Sequence, residues 1–302
     1  MIIDFHSHLA YAPIYPDRYL SDMFLELNEN ERSKLNRIIP ILLRDKNGEV
    51  FLRQMDLAGI DKAVLLIIDG GVGLGEAKLS IGEIYEIHHS VLKNHPDRFI
   101  VFAGIDPRRG KIGYNLFRKG IETYNFKGLK LYPPMGYSMD HLELTPYYEY
   151  CQQNRLPVLL HTGPSQRNLR NELANPLFIR SIAEKYQNIN FILAHAGFNL
   201  SNDLIKLIKS TKNIYIDIAG FQSKYKKFDQ QMINDFAPLF TKELNKKVLF
   251  GNDWPLFNFI KPLYRNIEIL DKINVAIDNK IENALENIMF NNAINILMTS
   301  PP

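Results

Sequence analysis

The 302-residue sequence contains a single cysteine, Cys151, and a single tryptophan, Trp254. One cysteine excludes an intrachain disulfide and suits a reducing compartment. It lies in "YYEYCQQN", which reads as a helix, so a buried packing role is expected rather than a reactive thiol. Long hydrophobic runs are also missing. The longest, "AVLLII" from Ala63 to Ile68, is far short of the roughly 20 residues a spanning helix needs. No charged segment precedes a cleavable apolar stretch, so a cytoplasmic protein is expected, with no membrane partner. Charge of one sign is scarce as well. A formal net charge of +3 is too small to argue for nucleic acid. The basic run "SKYKK" around Lys224, Lys226 and Lys227 reads as a solvated loop. No linker or low-complexity tract divides the chain, and residues 1–302 are read as one domain.

What is present is ordinary globular composition, 46% hydrophobic and 23% charged, arranged in a repeating pattern. Short apolar, branched runs recur at Ile2–His8, Lys62–Ile68, Phe99–Ile105, Gly128–Tyr132, Val158–His161, Asn190–His195, Ile214–Ile218 and Val248–Gly251. Segments with helical periodicity separate them, such as "NDLIKLIKSTKN" with Leu204, Leu207 and Ile208 on one stripe. Strands alternating with helices indicate a parallel sheet, and eight strands close a (β/α)8 TIM barrel. An open doubly wound sheet would advertise a glycine-rich turn after the first strand, and "DFHSHLAYAP" has none. The glycine-rich "DGGVGLGEA" lacks the dinucleotide-binding order and reads as a mobile loop. Residues 9–49 form a helical insertion after strand one, expected to cap the site, and the tail supplies closing helices.

The polar residues at strand ends carry the functional signal. Alternation along "IIDFHSH" places Asp4, His6 and His8 on one face and Phe5 and Ser7 on the other. Two imidazoles at i and i+2 stand roughly 6.6 Å apart at Cα, near enough to converge on one ion. His161, His195 and Asp253 lie at or just after the ends of strands five, six and eight. In a barrel those ends meet at one rim. Any of these alone is a core histidine or a turn aspartate; together they outline a pocket. Three imidazoles and a carboxylate suit a borderline-soft divalent ion such as Zn²⁺, with a position left for water. Arg108, Lys130, Tyr132, Arg167 and Trp254 lie on or after barrel strands as candidate substrate contacts; an arginine would pair a carboxylate and Trp254 would form a pocket wall. His88, His89 and His95 read as a solvated helix face, and His141 as part of a surface loop.

The segments "DFHSH", "GLKLYPP", "VLLHTG", "ILAHAG", "NIYIDIAG", "VLFGNDWP" and "NNAINILM" span almost the whole chain. In that order they resemble the amidohydrolase-related, metal-dependent hydrolases, a branch that also contains nonoxidative decarboxylases of aromatic and unsaturated carboxylic acids. The resemblance implies one divalent ion, zinc before manganese, held by His6, His8, His161 and Asp253. It places His195 beside the water on that ion, and lets Asp253 both bind metal and shuttle a proton. The expected activity is hydrolysis of a small amide, ester or lactone, with decarboxylation as the alternative. A nuclease-like relative would carry a glutamate where "GLKLYPP" stands, and a purely structural metal site would have no base such as His195. In two-metal relatives a lysine at the end of strand four is carbamylated; here a single metal is favoured, leaving Lys130 as a substrate-binding or internally paired cation. Asp4 and Asp217 are candidate partners of the ligands. The implied partner is a small molecule carrying a carboxylate or carbonyl, and a homodimer is left open.

Overall fold

The computed structural model describes the chain except residues 23–28, 30–32, 34–36, 38, 40, 197–199, 226–227, 260–261, 278–280 and 299–302. Eight strands, β1 (Ile3–Ser7), β2 (Lys62–Leu66), β3 (Phe99–Gly104), β4 (Gly128–Leu131), β5 (Val158–His161), β6 (Phe191–Ala194), β7 (Ile214–Asp217) and β8 (Val248–Leu249), form one sheet in sequence order. Every neighbouring pair is parallel. Strands buried on both faces read as continuous apolar runs, which is why each coincides with an apolar segment of the sequence.

The ring is completed by β8 and β1. Phe5 N–H donates to the Phe250 carbonyl at 2.8 Å, Asp253 N–H to that of His6 at 2.7 Å, and His8 N–H to that of Trp254 at 2.8 Å. The eight-strand (β/α)8 barrel is thereby established. Helices cover it outside. Helix Ile81–Asn94 begins in a capping box between Ser80 and Glu83, which satisfies two otherwise orphaned N–H groups. Helix Asn202–Ser210 starts on the Ser201 side chain and buries Leu204, Leu207 and Ile208, the stripe expected from its sequence. Inside, Phe5, Val64, Leu66, Phe102, Leu159, Ile192 and Leu249 fill the barrel, and Ala293 and Ile296 of helix Asn292–Met298 join the same cluster.

Three local expectations are corrected. The strict alternation along β1 fails because Asp4 pairs with Ala63 and Ser7 with Leu65, three steps against two. The extra residue is a β-bulge, and it turns Asp4 away from the histidines toward Ser7, whose hydroxyl donates to it at 2.8 Å. The glycine-rich run after β2 contains a short helix, Gly71–Leu74, packed close to Met135. His88 is not on a solvated face: it is buried, with its Nδ1 bonded to the Ile84 carbonyl at 2.8 Å. Of the insertion, the described residues include a 3₁₀ turn at Ala12–Ile14 and a helix at Asp17–Asp22; much of 23–40, and Lys226 and Lys227, fall outside the described residues.

Freed from the pocket, Asp4 stitches the seam. Its buried carboxylate accepts from His6 N–H at 3.1 Å, Asn252 N–H at 3.0 Å and Asn252 Nδ2 at 3.1 Å, besides Ser7. Asn266 Nδ2 in turn donates to Asn252 Oδ1 at 2.6 Å. Burial pushes the Asp4 carboxyl up to about 6 in spite of these four donors. Asp4→Ala strands several buried donors at once, each worth about 1–3 kcal/mol. A loss of roughly 3 kcal/mol in urea unfolding is expected, and a change below about 1 kcal/mol would show that the seam does not depend on it.

Candidate metal centre

The strand termini bring His6, His8, His161, His195 and Asp253 together, all at most 7% exposed. The ring centroids of His6 and His8 are 5.3 Å apart, those of His6 and His195 4.6 Å, and those of His161 and His195 4.7 Å. Asp253 Oδ1 lies 3.2 Å from His8 Nε2 and 3.6 Å from His6 Nε2.

The four rings are oriented alike. His6 Nδ1 donates to Asp217 Oδ2 at 2.8 Å, His8 Nδ1 to the Leu66 carbonyl at 2.7 Å, and His195 Nδ1 to the Ala219 carbonyl at 3.0 Å. His161 hydrogen-bonds the backbone of Pro164, which offers only a carbonyl. With Nδ1 engaged in this way, each Nε2 is the nitrogen left for the cluster. His161 Nε2 is buried and has no hydrogen-bond partner among the described groups. Burial first, and then neighbouring cationic groups including Lys130 and His195, hold His6 and His161 well below the ordinary histidine range, so both stay neutral. Burial alone would raise Asp253, but His6, His8 and His195 hold it below the usual carboxylate range. The neutral imidazoles of His6 and His161 beside the ionised Asp253 carboxylate offer acceptors to one spot, which is the chemistry a divalent cation satisfies. His6, His8 and Asp253 have ligand atoms within 4.8 Å of one another, and the orphaned His161 Nε2 completes a set of three nitrogens and one oxygen.

Asp217, at the end of β7, ties two parts of the cluster together. While one oxygen holds the His6 ring, the other accepts from His195 N–H at 2.7 Å and Ala219 N–H at 3.1 Å. His195 needs that support because its backbone has φ +60°, a left-handed conformation that is costly for a residue with a Cβ. Close approach is permitted by two glycines. A Cβ on Gly163 would collide with His195, and one on Gly251 would stand 2.8 Å from His6 Cβ.

The remaining candidates divide. Lys130, on β4, is 2% exposed and its Nζ has no hydrogen-bond partner among the described groups. Burial lowers it to about 8, with Asp217 and Asp253 pulling the other way. Tyr132 packs on His161, ring centroids 4.1 Å apart, and lies 5.8 Å from Lys130 Nζ. Arg108 is not available as a substrate contact: its guanidinium is taken by Asp106 at 2.6 and 2.9 Å and by the Met135 carbonyl at 2.9 Å. Arg167 is exposed in the loop after β5. Trp254 stacks on Phe51 at 5.0 Å, while its backbone serves the seam. Sequence reasoning missed Tyr15 and Tyr19, both buried in the β1 loop. They stack at 5.8 Å, and Tyr19 meets the edge of Tyr132 at 6.5 Å. Gln166 Nε2 donates to the Tyr19 carbonyl at 2.8 Å, tying this loop to the one after β5. Apolar spacing was the available signal, but it does not say which loop folds inward.

A family model described as amidohydrolase matches residues 3–297. The chain belongs to the amidohydrolase family. Solved structures agree at the level of fold. An uncharacterised TIM-barrel protein from Bordetella bronchiseptica is 19% identical, with 99% of this chain and 98% of that one covered and a TM-score of 0.70. A 5-carboxyvanillate decarboxylase from Novosphingobium aromaticivorans, solved with manganese and a nitrobenzoic acid, is 16% identical over 99% of this chain and 96% of that one, TM-score 0.69. A 2,6-dihydroxybenzoate decarboxylase from Rhizobium is 14% identical over 98% of both chains, TM-score 0.65. No curated protein matches. Family and cluster together make this a metal-dependent enzyme, and no described helix is long and apolar enough to cross a membrane.

Because Asp217 holds His6 in place, Asp217→Ala is expected to weaken divalent-ion retention by about 10–100-fold in chelator competition. Unchanged retention would mean that the His6 ring is oriented by something else.

Proposed function

We propose that the protein is a divalent-metal-dependent carboxy-lyase that removes CO₂ from a small, planar aromatic or unsaturated carboxylic acid. The observation that carries this reading is the aromatic wall over the ligand cluster, in which Tyr132 packs on His161 and Tyr19 and Tyr15 follow in succession. Flat, buried rings offer stacking and edge contacts to a flat substrate. The decarboxylases of aromatic acids among the structural relatives support it.

In this reading His6, His8, His161 and Asp253 hold the ion, with Zn²⁺ expected on donor chemistry and Mn²⁺ present in one relative. The ion supplies Lewis acidity toward a substrate oxygen. The chain's own residues do the rest. Low exposure of the cluster excludes bulk water from the carbon that loses CO₂. The carbon–carboxylate bond breaks with its electron pair left on that carbon, and a proton must arrive there. His195 is placed to deliver it from Nε2, which must first take up a proton from water as the substrate enters, since Nδ1 is held by the Ala219 carbonyl and the backbone by Asp217. Asp253, ionised at rest, can relay the same proton. Tyr132 is the nearest candidate wall, with Trp254 behind the seam and Arg167 at the exposed loop as outer contacts.

The second reading is hydrolysis of an amide, ester or lactone, favoured by the same His195. An imidazole with a free Nε2 can take a proton from water as readily as give one to carbon. A panel of aromatic and unsaturated acids, followed by CO₂ release, tests the two against lactones and amides. CO₂ evolution is expected, and His195→Gln should lower it by about 10²–10⁴-fold with metal content unchanged. Hydrolysis of a lactone or amide with no CO₂ from any acid would overturn the carboxy-lyase reading.

A further inference from the structure

We infer that Lys130 is the group that receives the substrate's carboxylate, and that the pocket therefore selects a monoanion at this depth. The inference rests on the carboxy-lyase reading for its chemistry but on separate residues for its support.

Half-buried cations elsewhere among the described residues have partners. Arg109 lies between Asp69 and Glu76, Arg108 is held by Asp106, and Lys247 Nζ donates to the carbonyls of Lys212 and Thr211. Lys130 differs. Its ammonium is sealed from water and lacks a hydrogen-bond partner among the described groups. An unpaired buried charge is costly, and a fold that keeps one leaves an anion to be supplied from outside.

The two carboxylates near it are already engaged. Asp217 is occupied by the His6 ring and two backbone N–H groups, and Asp253, 3.2 Å from His8 Nε2, is turned to the ligand cluster and would be taken by the ion. Asp4 faces the seam with four donors of its own. With a divalent ion on the ligand set, Asp217 and Asp253 offset the ion and the charge of Lys130 remains. One carboxylate balances it; a neutral lactone or amide does not.

Position agrees. β4 pairs Lys130 with Leu159, two residues before His161 on β5, so its Cα lies roughly 6.6 Å deeper in the barrel than that ligand. Its Nζ nevertheless lies 5.8 Å from the Tyr132 ring, which itself packs on His161 at 4.1 Å, so the stem reaches toward the ligands. That ring stands beside the same spot. A flat acid would place its carboxylate at Lys130 and its ring against Tyr132.

The test is calorimetric titration of the metal-loaded protein with acetate and benzoate, each against its neutral analogue, acetamide and benzamide. The acids are expected to bind at least about ten-fold more tightly than the amides. In Lys130→Met, and in Lys130→Gln should the first fold poorly, that preference should shrink to about two-fold with the metal content kept. No preference in the wild type, or an undiminished one in a folded variant, overturns the inference. So does a ¹³C carbamate signal after incubation with ¹³C-bicarbonate, accompanied by two ions per chain. There CO₂ has added to the neutral Lys130 amine with loss of a proton, and the lysine is itself the anion. Because binding needs no turnover, an acid preference without CO₂ release would retain Lys130's role and count against the carboxy-lyase reading. CO₂ release without the preference would do the reverse.

Discussion

An eight-stranded parallel barrel must close where its last strand meets its first, and no crossover helix enforces that contact. Here three backbone hydrogen bonds, from Phe5, His8 and Asp253, make it, with the Asp4 carboxylate bracing both sides through Asn252. The same seam sets the relative positions of His6, His8 and Asp253, since Asp253 N–H bonds the His6 carbonyl and His8 N–H bonds that of Trp254. Fold closure and ligand geometry are therefore one event. Any displacement of β8 that opened the barrel would also carry Asp253 away from the two imidazoles.

A second constraint is shared between β6 and β7. His195 adopts a backbone conformation that a non-glycine residue avoids, and Asp217 and Ala219, themselves joined by a hydrogen bond, hold it there by two contacts, one to its backbone and one to its ring. Local strain is retained because the surrounding structure over-determines it. What this secures is a histidine whose Nε2 stands beside the ligand set while its other nitrogen is fixed. The Asp217 carboxylate also fixes the His6 ring, so one buried group orients a candidate proton donor and a candidate ligand together.

Much of this was legible in the sequence because of how parallel barrels are built. Strands buried on both faces appear as apolar runs, and a polar residue closing such a run stands out, which singles out His161, His195 and Asp253. The HxH pair was visible for the same reason. The bulge in β1 was not: nothing in "IIDFHSH" announces an extra residue, and it redirected Asp4 from the pocket to the seam. Arg108 has the chemistry of an anion receptor, but its own neighbour Asp106, two residues back, takes its guanidinium. His88 looked solvated because adjacent histidines suggest a polar face, yet its helix turns that ring inward. Tyr15 and Tyr19 went unnoticed, since which face of an inserted loop lies over a barrel is decided by tertiary packing.

Inward-facing Nε2 atoms on four imidazoles, an ionised Asp253, a lysine with no hydrogen-bond partner among the described groups and a tyrosine wall describe a pocket arranged for a cation and then for an anion laid against it. The central claim is that the strand ends close on one divalent ion. Elemental analysis of the purified, metal-replete protein beside Asp253→Ala measures it directly. About one zinc or manganese per chain, largely lost in the variant, is the expected result. No ion after loading, two ions per chain, or full retention in Asp253→Ala would contradict it.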